Sequence, residues 1–231
     1  MRAKSVLERT VRETVAGPSA TFSKLHAYKA IVLLGERSLG RNTLFKELGI
    51  GPGAVRTLIT RLKNMALIEI ESSGCKLTEK GRAIRNEIMQ HIPSSKRIVA
   101  GRLSVGRFDH AVIVRGASER VRSAIEQRDA AILQGARGAT TILFKNEKFA
   151  LPGDSSDCER DFPDKAWSTF RDEFSPRNGD VIVVSSAESS LKAEYGALAA
   201  AWTLLDALFS SSRFVVRYSI CRNSYNAAMI A

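Results

Sequence analysis

Seven residues between positions 53 and 64 are of the types that read a DNA duplex. If residues 52–65 form a helix turning roughly 100° per residue, Gly53, Thr57, Thr60 and Asn64 share one face, and Arg56, Arg61 and Lys63 flank it. The face has small residues, hydrogen-bond donors and cations, and no carboxylate. A major groove asks for this combination: small residues allow close approach, Arg and Asn reach base edges, and cations meet phosphates. Arg41 and Thr43, upstream, and Lys76, downstream, complete the candidate DNA-binding set. The rival reading is an ordinary solvated helix face.

A second set carries the chemistry of an anion site. Val181-Ile-Val-Val184 reads as a buried strand, and Ser185-Ser-Ala-Glu-Ser-Ser190 as the loop leading from it into a helix. Free N–H groups, hydroxyls and the positive end of a helix dipole favour an anion there. Ser185, Ser186, Glu188, Ser189 and Ser190 are the candidate ligands, with Arg128 as the counter-charge. In a helix over 118–133, Arg128 falls among Val121, Ala124, Ile125, Ala131 and Ile132, so its guanidinium requires a negative partner or must snorkel. A well-capped helix and a structural ion pair are the corresponding plain readings. The loop has no glycine that lets a phosphate approach the backbone. No Ser-His-Asp, HExxH or CxxC arrangement and no GxGxxG after a strand is present, so the expectation is no catalytic site, no metal and no cofactor.

Periodicity supplies the elements that position these residues. Leu44 and Leu48 lie on one face of a helix that Gly49-Ile-Gly51 ends, and Pro52 opens the next one. In that second helix Val55, Leu58, Ile59, Leu62 and Met65 form the inward stripe. Upstream, residues 1–16 form a short amphipathic helix on Leu7, Val11 and Val15, stopped by Gly17-Pro18-Ser19, and residues 24–36 form a broader one. Residues 67–72 alternate as a strand, Ser73-Gly74 turns, and Cys75-Lys-Leu77 returns. Thr78 caps a helix reaching about residue 90.

Residues 22–90 thereby resemble a winged-helix domain of archaeal and bacterial transcription regulators. The carrying residues are the turn Gly49-Ile-Gly51, the helix end Arg61-Leu-Lys-Asn-Met-Ala-Leu-Ile68 and the pattern Leu77-Thr-Glu-Lys-Gly81. The resemblance implies that the second helix of the pair enters the major groove and that the hairpin, the wing, touches backbone or minor groove. The wing here is short, with Lys76 near its tip and Glu69 and Glu71 behind.

His91-Ile-Pro-Ser-Ser-Lys-Arg97 reads as a linker. Beyond it, strands at 111–114, 140–144, 148–151, 181–184 and 214–220 alternate with helices at 118–133, 164–174 and 190–209. This implies an α/β layer arrangement with a mixed sheet. The helix 190–209 is apolar on nearly all sides, which makes it central to a core or shared with a second subunit. The whole order resembles archaeal winged-helix regulators with a poorly characterised C-terminal α/β domain.

Charge divides the chain the same way. Of the formal +11, residues 1–97 hold 18 Lys+Arg against 8 Asp+Glu, and the rest holds 17 against 16. A basic module joined to a neutral one points to a polyanion partner for the first. Three scattered cysteines and three scattered histidines give no disulfide framework or zinc spacing. With no run of 18 apolar residues and no apolar signal segment at the start, a cytoplasmic protein is expected.

The expected architecture is a two-domain α+β and α/β chain: an N-terminal helix (1–20) suited to dimerisation, a winged helix (21–92), a linker (93–100) and a C-terminal α/β domain with a mixed sheet (101–231), for effector binding or dimerisation. The expected function is a homodimeric transcription regulator that binds double-stranded DNA and responds to a small anionic effector, with no membrane partner. Its apolar stripes at 7–15 and 191–209 are the candidate dimer faces. Two alternatives remain open: an enzyme acting on an anionic small molecule with an auxiliary winged helix, and a winged-helix subunit that binds proteins in a transcription assembly.

Overall fold

The structure, a computed structural model, describes residues 2–12 and 21–206. The first half is helical. Helices α1 (Arg2–Arg9), α2 (Lys24–Leu34), α3 (Arg41–Leu48) and α4 (Pro52–Asn64) lead into a hairpin of β1 (Ile68–Glu71) and β2 (Gly74–Leu77), and α5 (Glu79–His91) follows. The second half contains β3 (Ser94–Ile98), β4 (Phe108–Val114), α6 (Ile125–Ile132), β5 (Gly138–Lys145), β6 (Lys148–Ala150), α7 (Cys158–Asp161), α8 (Ala166–Phe174), β7 (Val181–Ala187) and α9 (Ser190–Asp206). It is a mixed α+β fold. The expected strand 214–220, the end of the helix beyond 206 and the Gly17-Pro18-Ser19 stop lie outside the described residues.

Three expectations are corrected here. The linker is not a linker: Ser94–Ile98 is an edge strand whose Ile98 is buried and whose Ser95 and Arg97 pair with Val112 and His110 of β4. Its polar sequence suits an edge, where charged residues also discourage further strand pairing. The five-stranded sheet, ordered β3-β4-β7-β5-β6, is antiparallel at every pairing and not mixed. The crossover through α6 does leave β4 and β5 running the same way, but one strand apart, and β7 fills the gap antiparallel to both. Finally, residues 118–120 form a separate 3-10 turn, and α6 begins only at Ile125.

Strand alternation gives the sheet two apolar faces. Val112, Val114, Val181 and Val183 meet α6 and α9 on one side. Ala111, Ile113, Ile182 and Val184 meet Trp167, Phe170 and Phe174 of α8 on the other. Helix α9 then joins the halves. Trp202 donates its indole N–H to Glu8 (3.2 Å), and Tyr28 meets that ring edge-on. Lys29 of α2 pairs with Glu194 (2.8 Å), so residues of both halves share one continuous core. Leu7 and the apolar residues of α9 are buried within that core, so the described parts of the stripes 7–15 and 191–209 are not free for a second subunit; Val15 and residues 207–209 lie outside the described residues.

His110 sits at this junction, 8% exposed, sharing a hydrogen bond with Ser95 (2.8 Å). Burial, reinforced by the charge of Lys29, lowers its pKa from 6.5 to about 4. The unfolded chain therefore binds more protons than the folded one between these values. Stability is full above pH 6.5 and falls as the pH drops toward 4. Urea unfolding at pH 7 and pH 4.5 should show His110→Gln losing less stability on acidification than wild type, by roughly 2 kcal/mol.

Candidate nucleic-acid interface

The turn between α3 and α4 is built from three short-range devices and one long-range one. Gly49 closes α3 in the left-handed region (φ 66°), its N–H reaching Phe45 O at 3.1 Å. Gly51 caps α4 and Pro52 occupies its first turn, where the missing N–H has no helical partner to lose. From α9, Tyr195 donates its hydroxyl to Leu48 O (2.9 Å), and Leu191 fills the space where a Cβ on Gly49 would stand. Neither contact is visible in local periodicity. The available signal is Tyr195 itself, whose polar tip in an apolar helix needs a hydrogen-bond partner.

Helix α4 buries Ala54, Val55, Leu58, Ile59 and Leu62 and exposes Gly53, Arg56, Thr57, Thr60, Lys63 and Asn64. No heavy atom lies within 4 Å of a Cβ placed on Gly53, so the fold itself does not require a glycine there. Thr57 donates to Gly53 O (3.1 Å) and Thr60 to Arg56 O (3.0 Å). With their protons directed at the helix, these hydroxyls present acceptor lone pairs and a methyl group outward. That suits a cytosine or adenine amino group and a thymine methyl. Arg41, Arg56 and Lys63 are exposed and have no carboxylate partner among the described residues. Thr43 is half-buried.

Two members of the candidate set have other employment. Arg61 is half-buried: its guanidinium donates to Thr10 O (2.8 Å) and Arg12 O (3.4 Å) and lies over the Phe22 ring. It holds the carbonyls that follow α1 and is not available to DNA. Lys76 is clamped by Glu69 (3.4 Å) and Glu71, which raise its pKa, so the hairpin offers phosphates no free cation.

The Leu77-Thr-Glu-Lys-Gly81 pattern is structural. Thr78 accepts from Gly81 N–H (3.1 Å) and donates to Ala66 O (2.7 Å), while Lys80 caps the end of α4 at Met65 O (2.7 Å). A Cβ on Gly81 would overlap Leu67 O, so α5 lies against the chain leaving α4 only with glycine there.

The anion-site expectation loses its premise. Because α6 starts late, Gln127 and Ala131 face inward, and Arg128 is exposed and paired with Asp129 (3.1 Å). Ser185 and Ser186 are not loop residues. They are buried in β7, donating to Gly138 O (3.4 Å) and to Asp109 Oδ1 (2.6 Å). Glu188 pairs with Arg137 (2.7 Å), and Ser189 accepts from Lys192 N–H, leaving Ser190 as the first residue of α9. No hydrogen bond or ion pair joins Arg128 to residues 185–190 among the described residues, and no group of His, Cys, Asp and Glu there is placed to hold a metal.

Residues 105–204 match a family described as a domain of unknown function, DUF4443. No curated protein matches the chain. Among solved structures, "Hypothetical protein PH0730 from Pyrococcus horikoshii OT3" is similar, with 29% identity and a TM-score of 0.64 over 78% of this chain and 90% of that one. A likeness of that extent exceeds what residues 98–231 alone supply, so it includes part of the helical half.

The contacts of Arg61 make it a structural residue. Arg61→Ala should lower unfolding stability by about 1.5–3 kcal/mol, the range for hydrogen bonds to a charged group. Urea unfolding reads that loss.

Proposed function

We propose that this chain is a sequence-specific DNA-binding transcription regulator of the winged-helix type, cytoplasmic, with α4 as its recognition helix. One observation carries the reading: the exposed face of α4 presents Gly53, Arg56, Thr57, Thr60, Lys63 and Asn64, with no carboxylate, on a helix packed rigidly by its other side. The excess of 18 cations over 8 acids in residues 1–97 supports it, since most non-specific affinity for DNA is electrostatic. The β1–β2 hairpin occupies the place of the wing but brings net negative charge, so α4 and its surroundings carry the binding.

One recognition helix makes few base contacts, and useful specificity then calls for two half-sites. A homodimer is therefore part of the proposal. With the apolar faces of α1 and α9 buried among the described residues, a face suited to a second copy is that of α6, where Ile125, Ile132 and Leu133 are 56%, 46% and 82% exposed.

Selection of bound duplexes from a random pool tests the reading. Arg56→Ala should relax base preference and weaken the best site by about 1–3 kcal/mol. Lys63→Ala should weaken all sequences alike and flatten the salt dependence by about one unit. Equal losses on selected and random DNA for both variants would remove the division of roles, and no enrichment would remove the function. Leu133→Asp should convert a sedimenting dimer to a monomer; an unchanged dimer would place the interface elsewhere.

A further inference from the structure

We infer that the sheet corner beside the α3–α4 turn is a second DNA-backbone contact surface, formed by Arg97, Arg107 and Lys192. The inference rests on the DNA-binding reading of α4 and extends it to residues outside the helical half.

The first observation is electrostatic. Some exposed cations of the second half have a carboxylate, as Lys96 has Glu173 (2.6 Å) and Arg137 has Glu188 (2.7 Å), while others such as Arg122, Lys165 and Arg177 have none among the described residues. Arg97 and Arg107 belong to the second group and are set apart by a shared aromatic seat. Both are exposed, both lie over the one ring of Phe108 at 5.0 and 5.5 Å, and neither has a carboxylate partner among the described residues. A guanidinium held on an aromatic face keeps its N–H edge free and loses less side-chain freedom when it meets a phosphate. Lys192, exposed in the first turn of α9, is likewise without a carboxylate partner there.

The second observation is placement. Phe108 pairs with Ala187 at the end of β7, and its ring packs against the core that holds α9. The backbone at Gly106 lies directly on Ala187, where a Cβ would approach Ala187 N to 2.7 Å. Three residues beyond Ala187, α9 begins, and its first two turns send Leu191 to Gly49 and Tyr195 to Leu48 O. The cationic corner and the turn that launches α4 are thus braced by the same stretch of helix.

The third is the hairpin. With Lys76 clamped by Glu69 and Glu71, it supplies no cation to the flanking backbone. The sheet corner supplies them instead, on the side of the turn.

The experiment uses the full chain and a selected duplex with long flanks, titrated over a range of KCl. Arg97→Gln/Arg107→Gln should reduce the slope of log affinity against log salt by about two units and leave base preference unchanged. Arg97→Lys/Arg107→Lys, which keeps the charges, should retain the wild-type slope, separating charge from folding. Lys192→Gln should remove about one further unit. On a duplex trimmed to the bases selected by α4, wild type and the Gln variant should converge. An unchanged slope in the Gln variants, with Arg56→Ala still relaxing base preference, overturns this inference and leaves the α4 reading standing. Failure of the wild-type chain to bind any duplex overturns both.

Discussion

A helix that is apolar around its circumference has to be enclosed on every side, and α9 imposes that requirement on the rest of the molecule. The sheet covers one side through β4 and β7, and α1, α2 and α6 cover others. Burying a single large apolar side chain contributes about 1.5–3 kcal/mol, and α9 buries Leu198, Trp202, Leu204 and Leu205 among others. Separating the helical half from the sheet exposes that surface to water. The two halves therefore form a single cooperative unit, although their charges differ so strongly.

The same enclosure explains what was and was not legible in the sequence. Local patterns gave α3, the glycine turn, α4 with its inward stripe, the hairpin and the Thr78 cap. Each depends on residues within a turn or two of one another. The outward residues of α4 also followed from period alone. Arg61 did not, because its acceptors, Thr10 O and Arg12 O, lie about fifty positions away. Lys76 carried its correction in view, since Glu69 faces it across the hairpin and Glu71 lies near. In the second half the strands were visible and their neighbours were not. Ser94–Ile98 looked like a linker because an edge strand needs only Ile98 on its apolar side. Arg128 looked buried because a helix drawn from 118 places it in the stripe, whereas starting at Ile125 rotates Gln127 and Ala131 inward.

Electrostatics sorts the surface in a way that composition cannot. The second half is nearly neutral by count, and part of its charge is locally neutralised in pairs such as Lys148–Asp157 and Arg171–Glu159. Exposed pairs of this kind contribute little to stability. Their effect is on the field: where such pairs stand, the local potential is reduced. On α4 the cations have no such neighbours, so the potential there projects into solvent.

The central position of β7 has a consequence for how the chain reaches this structure. Strands β4 and β5, of seven and eight residues, flank it on either side, and neither pairs with the other. Until residues 181–187 are available, both lack their inner hydrogen-bonding edge, and α9, which seals the core, comes later still. During synthesis the helical half emerges first and waits for its cover. Long-range pairings of this kind fold slowly, because loop closure precedes any reward from contact. Unpaired inner edges of Val- and Ile-rich strands are also templates for wrong association. The nascent chain thus carries unpaired strand edges until β7 and α9 have left the ribosome.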